Sequence, residues 1–233
     1  MPFLLPKTLN TLYVALGAFP FAVYSMVFFW TLRHRTAPIS SKGPETSETF
    51  DPNMLFFTYA LLVALLLPLM WHHRISMTQV GLRADDWALA LLVGCLTGLL
   101  WGGLYAMVLH LFPAIKPRLA TSYLQKGNVL LWILVFIAGA FGEEFWRAFC
   151  LALLRNLGYS DVVSVTLTVA AFVLGHPRLK FGGIARVSIF GVIAALLFLW
   201  LGSLLATCSA HLVGNLGALY WIRKSRVQAA SAG

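Results

Sequence analysis

Charge is scarce in this sequence. Only 11% of its 233 residues are Asp, Glu, Lys or Arg, against roughly 25% in an ordinary soluble domain. That shortage excludes a fully water-exposed surface. Acid is the scarcer sign, with eight Asp and Glu against seventeen Lys and Arg and a formal net charge of +9. In a soluble protein such a balance points to nucleic acid. Here the basic residues have another explanation in loop topology, and no nucleic-acid partner is expected. Cysteine is equally sparse. Cys95, Cys150 and Cys208 all lie in apolar stretches with no CxxC or CxxH spacing, so they read as small core residues and identify no redox compartment. No internal repeat or low-complexity tract is evident. A cleavable signal peptide is not expected either. The first apolar run is too long for one and is followed by the basic RHR at 33–35, which suits an uncleaved anchor.

What the sequence has in abundance is hydrocarbon. Hydrophobic residues make up 60% of the chain, and the mean hydropathy is +0.82. Apolar runs long enough to cross a bilayer recur along most of it. The expected architecture is all-α, a polytopic transmembrane helical bundle of about seven to eight membrane helices, forming one integral membrane domain over 1–233. Seven spans are predicted at 11–32, 54–71, 87–112, 129–155, 160–176, 186–202 and 203–222. An eighth, re-entrant or amphipathic piece would fit near 74–87. The segment 33–53 is the longest polar loop. Pro113, Pro117, Gly127 and Asn128 break the chain before the fourth span, Ser160 and Asp161 suit the N-cap of the fifth, and Pro177 ends it.

Loop charges orient these spans. With the N-terminus outside, twelve of the seventeen basic residues fall on the inner side and four on the outer, with Arg147 inside the membrane. An excess of Lys and Arg marks cytoplasmic loops, so the C-terminus is expected in the cytoplasm, and the compact, biased chain suits a bacterial inner membrane.

Against this background the stretch FGEEFWRAFC, residues 141–150, stands out. Of the eight acids, Glu45, Glu48, Asp51, Asp85 and Asp86 sit in polar loops and Asp161 at a helix start; only Glu143 and Glu144 lie deep in a span. A charge at the membrane centre costs about 2.5–3.5 kcal/mol before pairing. Arg147 follows Glu143 by four residues and Glu144 by three, so it can reach either along one helix surface. Adjacent glutamates diverge by about 100°. One is expected to be held by Arg147 while the other faces a cavity and is free to titrate.

Two further spans each carry a histidine paired at one-turn spacing with another residue. The fifth ends AAFVLGHPR, with Phe172 four residues before His176. The seventh reads SLLATCSAHLVGNLGALYW, with His211 four residues before Asn215. Each feature alone has a plainer reading, as a helix-gluing ion pair or a packed core histidine. Together they cannot be satisfied by lipid, and the economical arrangement points all of them into one water-accessible cavity. At 1.5 Å per residue, Glu143 lies about 18 Å and His211 about 12 Å from the outer ends of their helices. His34, His72, His73 and His110 read as interfacial.

The ordered set Glu-Glu followed by Arg, then FVLGH, then HLVGN, each on its own span, resembles the CAAX protease and bacteriocin-processing family of intramembrane proteases, over roughly residues 129–220. The GLR at 81–83 is similar to a further, less specific family feature. One spacing departs from the pattern. The family has three residues between the glutamate pair and the arginine, whereas EEFWR has two. Aligning on the glutamates makes Glu143 the catalytic acid and Glu144 the structural one; aligning on Arg147 puts Gly142 and Glu143 in those positions.

The resemblance implies an intramembrane endopeptidase that hydrolyses a peptide bond of a membrane-associated protein or peptide without a covalent enzyme intermediate. Its site residues would be Glu143, Glu144, Arg147, His176, His211 and Asn215. Glu143 would be the general base, His176 would orient the water, Arg147 would anchor Glu144, and His211 and Asn215 would stabilise the oxyanion. No cofactor is expected. Zinc is the competing possibility, with Glu143, His176 and His211 as its ligands, although HExxH is absent. Outside this class stand a non-enzymatic immunity or scaffold protein and an ion transporter. The inverted repeats common in transporters are not seen.

Overall fold

The computed structural model describes residues 14–25, 52–83, 85–111, 129–176 and 181–231, and among these every regular element is a helix. They are α1 (Val14–Ser25), α2 (Pro52–His72), α3 (Trp87–Leu111), α4 (Val129–Asn156), α5 (Asp161–Leu174), α6 (Phe181–Leu201) and α7 (Leu204–Ser231). A helix falls on each of the seven predicted spans; residues 11–13 and 26–32 of the first span, residue 112 of the third, the polar loop up to residue 51 and the breakers Pro113, Pro117, Gly127, Asn128 and Pro177 lie outside the described residues. Helix α6 begins five residues earlier than expected, and α7 runs on to Ser231. The segment 74–83 folds as turns rather than as an eighth helix.

Helix α4 is the centre of the molecule. Residues 142–154 are buried without a break, on every side of the helix, including Trp146, Phe149, Leu151 and Leu154. Helices hydrophobic all round belong in an interior, and here the interior one also carries Glu143, Glu144 and Arg147. Around it the pattern inverts. Leu99, Leu100, Trp71 and Trp200 are exposed on the outer helices, a surface matched to acyl chains rather than water. Among the described residues, Leu55–His72, Trp87–Leu111 and Gly182–Leu201 are long and apolar enough to cross a membrane. The chain is an integral membrane protein.

Two close approaches set how the helices sit. Ala90, Gly94, Gly98, Gly102 and Ala106 recur every fourth residue and are all buried along one edge of α3. They meet Ala206, Ala210 and Gly214 of α7. A Cβ at Gly98 would fall 2.6 Å from the Ala210 carbonyl oxygen, so the two backbones touch. Within lipid, where there is no hydrophobic drive for helices to associate, such small-residue seams are a main source of packing energy. The second approach joins α2 to α4. The ring of Tyr59 lies in a notch made by Gly139 and Gly142, 3.0–3.2 Å from where their Cβ atoms would be.

The loop before α3 completes the frame. Gly81, at φ +80°, packs so tightly on the start of α7 that a Cβ there would lie 2.5 Å from the Leu204 nitrogen. Its carbonyl accepts the Leu204 N–H at 3.0 Å, satisfying one of the orphan donors of the α7 N-terminus. Arg83 pairs with Asp85 at 2.6 Å, and this hydrogen-bonded guanidinium holds the Asp85 carboxyl below its ordinary range. The GLR motif thus serves as a clasp on α7.

Candidate active site

Three helices bring the polar residues together inside this frame. The α3 seam fixes α7 and thereby points His211 at α4. There the imidazole spans both glutamates. His211 Nδ1 lies 2.7 Å from Glu144 Oε1, and Nε2 lies 3.5 Å from Glu143 Oε2. The second oxygen of Glu144 is ion-paired with Arg147, three residues on along α4. Glu143 turns the other way, as the 100° helical step requires, and its Oε1 accepts a hydrogen bond from the Tyr59 hydroxyl at 2.9 Å. The result is one continuous chain: Tyr59, Glu143, His211, Glu144, Arg147.

The members are deeply enclosed. Glu144 and Arg147 are each 1% exposed, and Glu143 and His211 each 7%. Arg147 keeps Nε and Nη2 without a hydrogen-bond acceptor among the described residues. Its guanidinium lies instead 4.3 Å from the centre of the Phe172 ring, a cation–π contact that offsets part of the burial. Phe190 closes the other side of His211, edge to face at 4.9 Å.

Protonation in the chain follows from its partners. An arginine-paired carboxylate can only accept, so His211 Nδ1 carries the proton toward Glu144, and in the neutral ring Nε2 presents a lone pair. With the ring neutral, Nε2 and Glu143 Oε2 are two acceptors facing each other at 3.5 Å, and a water beside them with one O–H toward each atom would satisfy both.

The structure places the expected residues in different relations to this chain. Glu143, Glu144, Arg147 and His211 are in mutual contact. His176 is not in contact with either glutamate. Helix α5 ends at Leu174, and His176 lies beyond it rather than in its last turn, because a residue before proline avoids the helical region. Its Nδ1 donates to the Phe172 carbonyl at 2.8 Å. The ring is seated among Phe172, at 4.7 Å, and Phe19 of α1, at 5.6 Å. Phe172 therefore touches both His176 and Arg147 and links the two. Asn215, half-buried, is one turn beyond His211 on α7.

Two contributors escaped the sequence reading. Tyr59 sits in FFTYALL, where a tyrosine reads as an interface-belt residue; the available signal was the glycine pair in GAFGEE, a notch one turn before the acids. The four-residue repeat of small residues in α3 was the other signal. Among the described residues no three His, Cys, Asp or Glu side chains are grouped so as to hold a metal ion.

Comparison with known proteins agrees on one region. Residues 125–217 match the family model described as Rce1-like type II CAAX prenyl endopeptidase. The matched stretch contains the glutamate pair, Arg147, His176, His211 and Asn215. No curated protein and no solved structure matches the chain.

Proposed function

With residues 125–217 similar to the Rce1-like type II CAAX prenyl endopeptidases, we propose that this chain is an intramembrane endopeptidase acting by activated water. The observation that carries the reading is the approach of Glu143 Oε2 and His211 Nε2 to 3.5 Å in the bundle interior.

Glu143 is the general base. Both Glu144 oxygens are engaged, by His211 and by Arg147, whereas Glu143 keeps Oε2 for a water. Glu143 takes one proton as the water oxygen attacks the scissile carbonyl carbon, and later delivers it to the leaving amine. Burial strengthens each of these interactions because little water competes. His211 holds the water through Nε2, and Asn215 donates to the developing oxyanion. Glu144 and Arg147 keep the imidazole in its tautomer. His176, one ring removed through Phe172, orients substrate or water from the α5 side. No step is routed through a metal.

The substrate is a membrane-associated protein or peptide; a prenylated C-terminal tail is the class that the family description names. The remaining placement is proposed likewise: a single domain with all seven helices in the membrane of a bacterial inner-membrane protein, C-terminus cytoplasmic.

The test is Glu143→Gln in the full chain, reconstituted in proteoliposomes with a fluorogenic peptide bearing a prenylated cysteine tail. Hydrolysis should fall at least about a hundredfold, the scale of a lost general base, with the thermal unfolding midpoint preserved. Wild-type turnover in this variant would sink the reading, and a scaffold or transporter would then be the better description.

A further inference from the structure

Tyr59 lies on α2, outside the matched region 125–217, yet among the described residues it makes the one hydrogen bond to the Glu143 carboxylate at 3 Å or less. We infer that Tyr59 is a positioning residue, holding Glu143 Oε1 so that Oε2 alone is turned toward His211 Nε2. The inference rests on Glu143 being the base of the proposed hydrolysis.

A glutamate side chain has three rotatable bonds, and ordering such a chain costs on the order of 1–2 kcal/mol. Glu144 is ordered from both ends by His211 and Arg147. Among the described residues Glu143 has no lysine or arginine within ion-pair distance, and its imidazole neighbour lies 3.5 Å away, so Tyr59 is what locates its carboxyl group. The tyrosine is itself located. Its ring lies across Gly139 and Gly142, one turn and one residue before Glu143, and any side chain at either glycine would compete for that space. Hydroxyl, notch and acid therefore act as one unit, in which α2 sets a rotamer on α4.

The arrangement also distinguishes the two acids. Adjacent in sequence and similarly buried, they differ in what holds them: a guanidinium for Glu144 and a neutral hydroxyl for Glu143. A neutral donor orients a carboxylate without tying up its charge, which leaves it able to accept a proton from water. A second cation at position 59 would not.

The decisive variant is Tyr59→Phe, which keeps the ring in its notch and removes only the hydroxyl. In the proteoliposome assay kcat should fall about tenfold, the scale of one hydrogen bond to a charged group, with KM within about twofold. Infrared difference spectra give a readout independent of turnover. The carboxylate band lost in Glu143→Gln should move in Tyr59→Phe, while the band lost in Glu144→Gln stays. An unchanged kcat, or an unmoved Glu143 band, would overturn the inference. Should the wild type hydrolyse nothing, the proposed function fails, and a shifted Glu143 band would still establish the orienting contact. Should Tyr59→Phe not fold, Gly142→Ala decides instead: its Cβ would sit 3.0 Å from the Tyr59 ring, displacing the hydroxyl and producing the same shift.

Discussion

Among the individual residues, Arg147 faces the greatest cost of isolation. It is 1% exposed and has a single ionic partner, Glu144, among the described residues. Removing one partner of a buried pair leaves an uncompensated charge and costs about 3–5 kcal/mol. Arg147→Met should therefore lower the stability of the purified protein by that amount in chemical or thermal unfolding. The double variant Arg147→Met/Glu144→Gln, which leaves no orphan charge, should recover part of it. Equal stability of single and double variants would mean the pair is not coupled. At this scale the sequence was informative wherever a polar group interrupts hydrocarbon: Glu143, Glu144, Arg147 and His211 could be picked out because lipid cannot satisfy them. Tyr59 could not. Its ring is at home in an apolar span, and only the distance of its hydroxyl from Glu143 reveals the role.

The helices depend on surfaces made by absence of side chains. The α3 seam needs Gly94 and Gly98 because the α7 carbonyls of Ala206 and Ala210 occupy the space a Cβ would fill. Gly98→Leu should push α7 away, separating His211 from Glu144. Overpacking of this kind costs roughly 1–3 kcal/mol, and the loss of activity should exceed what that destabilisation explains. Gly103→Ala is the control: nothing lies within 4 Å of its would-be Cβ, so activity and unfolding should stay at wild-type values. If both variants behave alike, the seam does not position His211. Helix existence and order were readable from hydrophobic run length, since backbone groups in lipid must be satisfied within the segment. Helix ends were less so. Leu174 closes α5 two residues before the predicted boundary because the effect of Pro177 reaches back through His176.

At the level of the whole molecule, the arrangement is a charged helix enclosed by apolar ones. Helix α4 carries Glu143, Glu144 and Arg147 and is buried without a break over 142–154, and α2, α3 and α6 supply the lipid-compatible exterior. Metal dependence is also a whole-molecule property, since zinc would require Glu143, His176 and His211 to close from α4, the end of α5, and α7. His176 is engaged instead with Phe172 and Phe19. Peptide hydrolysis by the reconstituted chain should thus survive exhaustive chelation, and loss with zinc-specific recovery would refute the metal-free mechanism. By itself the sequence determined that the chain lives in a membrane, that its elements are helices, and that a few ionisable groups must share an interior, because each follows from the free energy of placing a residue type in hydrocarbon. Which glutamate keeps a free oxygen, which histidine reaches it, and that a tyrosine 84 residues away in the chain orients it were decided by the tertiary structure alone. Those outcomes depend on how closely two backbones approach, and that distance is set jointly by residues far apart in sequence.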